Sequence, residues 1–165
     1  IDSNISKLVP LLAELENLHD EALEFEPIHR VIFDVDPENV IKAMAEYYPQ
    51  MSYEDNGGHK IVITNQGEER VVYIKDAPCN LPVGTFQKFM DDYLAENKGE
   101  IDYIHGEDVV KNLTKADNTI GFIFDGMEKN DLFTTVIKDG ALPRKTFSMG
   151  EAYDKRFYLE AKRIK

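Results

Sequence analysis

Lys60-Ile61-Val62-Ile63-Thr64-Asn65-Gln66-Gly67-Glu68-Glu69-Arg70-Val71-Val72-Tyr73-Ile74 is a pair of β-branched runs around a short polar turn. Val, Ile, Thr and Tyr suit a pleated, half-buried surface. Asn65-Gln66-Gly67-Glu68 carries turn chemistry, so the stretch predicts a β-hairpin with strands Lys60–Thr64 and Arg70–Ile74. A hairpin does not fit an all-parallel doubly wound sheet. At the other end, Arg156–Arg163 alternates Phe157, Leu159 and Ala161 with Arg156, Tyr158, Glu160 and Lys162. That pattern predicts a strand with one wet face, at an edge of the sheet.

Outward from the hairpin, other segments fall into place. Leu11–Leu18 alternates enough for a strand. Glu26-Pro27 breaks the chain before a buried strand, Ile28–Phe33. Asp36-Pro37 is a helix start, followed by Val40, Ile41 and Met44 at helical spacing until Pro49. Thr85–Glu96 is the strongest helix: Phe86, Phe89, Met90, Tyr93 and Leu94 form one stripe, and Gln87, Lys88, Asp91 and Asp92 are expected to face away. Glu100–Ile104 predicts a strand, Glu107–Leu113 a helix and Thr119–Phe124 an apolar strand. Asp131–Ile137 predicts a helix closed by Asp139-Gly140. The order β-β-α-β-β-α-β-α-β-α-β predicts an α+β fold: a mixed, largely antiparallel sheet with helices mainly on one face.

The chain has 165 residues, enough for one domain with a real core. Residues 1–10 read as a remnant of an upstream region and residues 11–165 as a single α+β domain. The start on Ile1 rather than Met points to a fragment or a processed product. The absence of a charged start leading into an apolar run argues against a signal peptide. No apolar run approaches the ~20 residues of a membrane-spanning helix. The single Cys79 fits a reducing compartment, so a cytoplasmic location is expected. Cys79 lies in a loop without a neighbouring His and is not expected to be a nucleophile. The net charge of −12 argues against nucleic-acid and anionic-membrane surfaces. Leu142–Lys165 is the exception, with seven Lys or Arg against three Asp or Glu.

Several short constellations could carry chemistry. His19, with Glu16, Asp20 and Glu21, reads first as a polar turn. In Pro27-Ile28-His29-Arg30-Val31, alternation sends His29 and Arg30 to opposite faces, so one of them meets the interior or a cleft. A buried Arg needs a partner, either an anionic ligand or a carboxylate in a structural ion pair. His105-Gly106-Glu107-Asp108 joins a strand to a helix, where the two acids suit the helix dipole and His105 is left unexplained. His105, Glu107 and Asp102 match no zinc spacing, and no metal is expected. Gly57-Gly58-His59 reads as a mobile turn. The loop Pro143–Ser148 supplies Arg144, Lys145, Thr146 and Ser148, donors suited to a phosphate or carboxylate. It reads equally as an exposed basic loop. The anion-binding candidates are thus His29, Arg30, His105, Arg144, Lys145, Thr146 and Ser148.

Three of these segments resemble domain-of-unknown-function family 1015, an uncharacterised bacterial family. They are Glu16–Glu21 running into Glu26-Pro27-Ile28-His29-Arg30-Val31, then Tyr103-Ile104-His105-Gly106-Glu107-Asp108, then Leu142-Pro143-Arg144-Lys145-Thr146-Phe147-Ser148. The resemblance runs from Leu11 to Lys165 and implies the C-terminal half of a longer protein. Family members carry an upstream glycine-histidine motif of the Asp-Gly-His/Asn-His type that this sequence lacks. If that motif carries catalysis, this chain does not perform the reaction alone. The family's upstream half resembles ParB-like folds, some of which bind nucleotides and phosphorylate free serine.

The resemblance therefore implies a cytoplasmic small-molecule enzyme binding a phosphorylated or carboxylated metabolite, with phosphoryl transfer on serine or phosphoserine as its chemistry. Positioning and charge neutralisation are what that chemistry requires. Lys145→Ala and Arg30→Ala should then lose anion binding with little loss of fold. The alternative is a non-catalytic module that completes the fold, forms a homodimer or binds a partner. The sequence identifies no cofactor.

Overall fold

The computed structural model describes residues 24–149. The expected strands Leu11–Leu18 and Arg156–Arg163, and the His19 cluster, lie outside them. Eleven elements follow one another: β1 Phe25–Phe33, α1 Pro37–Tyr47, β2 Met51–Ser52, β3 His59–Asn65, β4 Glu68–Ile74, α2 Pro82–Glu96, β5 Glu100–His105, α3 Glu107–Leu113, β6 Thr119–Ile123, α4 Asp131–Asp139 and β7 Phe147–Met149. The fold is α+β. Six strands lie in the order β2-β4-β3-β6-β1-β5, and β7 pairs with β1. Every pairing among the described residues is antiparallel.

The β3–β4 hairpin closes through Gln66 and Gly67, with φ of +50° and +84°. Positive φ at both central residues is the two-residue turn whose twist matches that of the flanking strands. At its other end, the backbone of Ile74 lies so near Gly58 that a Cβ there would overlap it. The two glycines before His59 therefore serve close backbone packing as well as turning.

α1 begins as its sequence predicts: the Asp36 carboxylate accepts the Glu38 N–H at 3.0 Å, and Pro37 stands in the first turn. α2 starts three residues earlier than expected, because Pro82 also opens a helix without loss of a hydrogen bond. β1 extends back through Pro27, which the sequence reading took as a break. Phe25–Pro27 pair with β7 alone, so the proline costs nothing on the other side.

α1 and α2 cover one face of the sheet. Ile32, Ile61, Ile63, Val72, Ile74, Ile120 and Phe122 meet Val40, Met44, Phe86, Phe89 and Met90 there. Phe86 is fully buried, its centroid 4.3 Å from that of Phe122. Burying such a ring stabilises by about 1.5–3 kcal/mol. α3 packs on the opposite face, where Val110 meets Val31 and Ile123. Gly121 makes that approach possible: a Cβ there would sit 2.6 Å from Val110 and 2.8 Å from Thr114 and Thr64. No described helix is long and apolar enough to cross a membrane.

Candidate functional site

Strand alternation sends Ile32 and Arg30 toward α2, and Val31 toward α3. Arg30 is 0% exposed. Its Nε donates to Gln87 Oε1 at 3.2 Å, and its Nη1 donates to the carbonyls of Ile28 at 2.5 Å and His29 at 3.4 Å. Its Nη2 donates to the Arg144 carbonyl at 3.1 Å. Gln87 passes the interaction on, its Nε2 donating to Asp91 Oδ1 at 2.7 Å. Gln87 is thus buried against Arg30, where the sequence reading had it facing away. The guanidinium lies 4.5 Å from the Tyr103 ring centroid, a cation–π contact. Burial lowers its pKa to about 10, with Arg144 adding to that and Tyr103 and Asp91 opposing it. Arg30 therefore stays charged at neutral pH. Among the described residues it forms no ion pair; three carbonyls and an amide relay to Asp91 take that place.

That arginine anchors the loop the sequence singled out. The Arg144 carbonyl is held by Arg30, and the Thr146 carbonyl accepts the Ile28 N–H at 3.4 Å. Thr146 Oγ1 donates to the Pro143 carbonyl at 2.6 Å, and Lys145 turns the chain with a φ of +57°. β7 follows at once, Ser148 pairing with Glu26. The Arg144 guanidinium stands 5.4 Å from the same Tyr103 ring. Among the described residues, neither Arg144 nor Lys145 forms an ion pair, and the buried Tyr103 hydroxyl has no hydrogen-bond partner.

His105 lies opposite Ile28 in the ladder, and its Nε2 is 2.5 Å from Glu26 Oε2. His29 is spent on structure: it is 1% exposed, and its Nδ1 accepts the Phe124 N–H at 3.3 Å. Burial pushes its pKa down, with the charges of Arg30 and His105 adding to that and Glu107 opposing it. The fold therefore gathers Arg30, His105, Arg144, Lys145, Thr146 and Ser148 around the first half of β1, with His29 engaged by the chain just after β6.

Beside this loop is a cavity of about 180 Å³. Its polar wall is His59, Asn80, Asp125, Asp131 and Thr146, and Leu81, Pro82 and Val83 bring the start of α2 to it. The first turn of α2 has no side-chain cap, but Pro82 has no N–H to satisfy and the Gly84 and Thr85 N–H groups donate to the Leu81 carbonyl at 3.0 and 3.1 Å. His59 Nδ1 is 3.0 Å from Thr85 Oγ1. Burial lowers the His59 pKa, partly offset by the Asn80 backbone and Asp139. Asn80 is committed: its Nδ2 donates to Thr135 Oγ1 at 2.8 Å, and its Oδ1 accepts from Lys138 Nζ at 3.0 Å. Burial likewise raises the Cys79 thiol, which keeps it protonated. Of the wall, only Thr146 was anticipated. The signals that pointed to the rest were Asn80-Leu81-Pro82 ahead of a helix and a histidine directly after two glycines. Among the described residues, no group of three His, Cys, Asp or Glu could hold a metal ion.

Neither a protein-family model nor a curated protein matches the chain. Two solved structures share its fold. One is a conserved hypothetical protein from Pyrococcus furiosus, with a TM-score of 0.62 and 14% identity, over 83% of this chain and 60% of that one. The other is a point mutant of a free serine kinase in complex with AMP, with a TM-score of 0.61 and 14% identity, over 82% of this chain and 57% of that one. The chain thus spans less than two thirds of the length of either.

Proposed function

We propose that this chain is part of a small-molecule enzyme that binds a phosphorylated or carboxylated metabolite, with phosphoryl transfer on serine or phosphoserine as the reaction. The observation that carries the reading is the loop Pro143–Ser148. Two cations, Arg144 and Lys145, stand on it without ion pairs among the described residues, and Arg30 fixes it beside the cavity. Cations carried on a backbone-anchored loop beside a cavity suit the charge neutralisation that a phosphoryl group asks for. The fold shared with a free serine kinase in complex with AMP supports the class of reaction. The motif resemblance to family 1015 belongs to the same proposal.

A thermal-shift series on the 165-residue chain tests it, with inorganic phosphate, ADP, ATP, L-serine and phosphoserine. A ligand that binds only the folded state raises the melting point once its concentration exceeds its dissociation constant. The reading expects a rise with phosphoserine or a nucleotide. No rise with any anion favours the second reading, a non-catalytic interaction module. One observation supports that rival: α4 exposes Phe133, Val136 and Ile137 along one stripe.

A further inference from the structure

The cavity and the loop beside it carry opposite charges, and that difference bears on which end of a ligand each takes. The cavity wall holds two carboxylates, Asp125 and Asp131. Asp125 is shared with Lys60 Nζ at 3.4 Å. The Asp131 side chain is half-buried and makes no hydrogen bond or ion pair among the described residues. No Lys or Arg lines the cavity, and its one imidazole, His59, sits where burial disfavours the cationic form. A dianionic phosphate inside would face these carboxylates at low dielectric, which is costly. An ammonium group would instead find an unpaired carboxylate, and a charge-assisted hydrogen bond is among the strong ones. The loop residues Arg144 and Lys145 lie outside the cavity wall, and Thr146, two residues on from Arg144, belongs to it.

We propose that the cavity takes the ammonium end of a small zwitterionic metabolite, with Asp131 as its counter-ion, while the anionic group stays outside with Arg144 and Lys145. The proposal rests on the functional reading above and deepens it by assigning the amine of such a ligand to Asp131. A cavity of about 180 Å³ has room for a small head group of this kind.

Calorimetry with L-serine and L-glycerate tests this, because the two share one configuration and differ in an ammonium against a hydroxyl. L-serine is expected to bind at least about tenfold more tightly, the effect of one charge-assisted hydrogen bond. Asp131→Asn should remove that preference while leaving the ligand-free melting point near that of the unchanged protein. Equal affinity for the two compounds, an unchanged preference in Asp131→Asn, or no binding of L-serine would each overturn the proposal. Phosphoserine binding lost in Lys145→Ala reports on the anion-binding reading alone, so the two can fail separately.

Discussion

Arg30 is a residue whose removal strands others. Arg30→Met leaves the carbonyls of Ile28, His29 and Arg144 and the side chain of Gln87 without their donor in a dry interior. Each stranded polar group costs about 1–3 kcal/mol, reduced where water or neighbours can reach it. A loss of about 2–4 kcal/mol in urea-induced unfolding is expected; a midpoint equal to that of the unchanged protein would contradict the role. Arg30→Ala is therefore expected to destabilise the fold, where the sequence reading expected lost anion binding with little loss of fold. Lys145→Ala is different: the residue is exposed and forms no ion pair among the described residues, so stability should stay within about 0.5 kcal/mol. The buried Arg was legible in the sequence as an Arg on an apolar strand, but its partners were not. They are backbone carbonyls, one of them 114 residues away, and an amide on a helix face expected to be wet. His29 adds a pH dependence. Its pKa is lowered in the fold, so below its ordinary value of 6.5 the unfolded chain binds the proton more readily. Stability should therefore fall as pH drops below about 6.5, His59 acting in the same direction. Melting points measured between neutral pH and about pH 5 should show this, and His29→Gln should flatten the curve; a flat curve in the unchanged protein would contradict it.

The elements fix how near α3 approaches the sheet. Gly121 faces Val110, Thr114 and Thr64 with no room for a methyl group. Gly121→Ala should push α3 off the sheet and cost about 1–3 kcal/mol, as overpacking does. Denaturant unfolding reads this directly, and an unchanged midpoint would show the contact to be loose. The hairpin, α1 and α3 were legible because each carries local chemistry: β-branched runs about a turn, an Asp-Pro start, acids in a first turn. β7 was not. Phe147-Ser148-Met149 is too short for a pattern, and it forms a strand only because β1 offers Phe25–Pro27 as partner and Phe25 stacks on Phe147 at 4.3 Å. The placement of α3 opposite α1 and α2 was missed for the same reason. Seven residues carry too little periodicity to name a face, and the small-residue gap at Gly121 lies on another strand.

At the scale of the molecule, the cavity is assembled from distant stretches: Pro27, His59, Asn80–Val83, Phe124–Met127, Asp131 and Thr146. No stretch carries it alone, so the sequence showed its basic neighbour, Arg144 to Ser148, and not the cavity itself. The α+β class was legible because the antiparallel hairpin decides it. The chain covers 57–60% of the length of the two solved structures that share its fold, and ligand binding is the property tested first. The most direct test is calorimetric titration of phosphoserine into the unchanged chain and into Arg144→Ala/Lys145→Ala. Saturable binding that weakens at least about tenfold in the double variant, at an unchanged melting point, is what the account predicts. Equal binding by both proteins, or none by the unchanged chain, would contradict it.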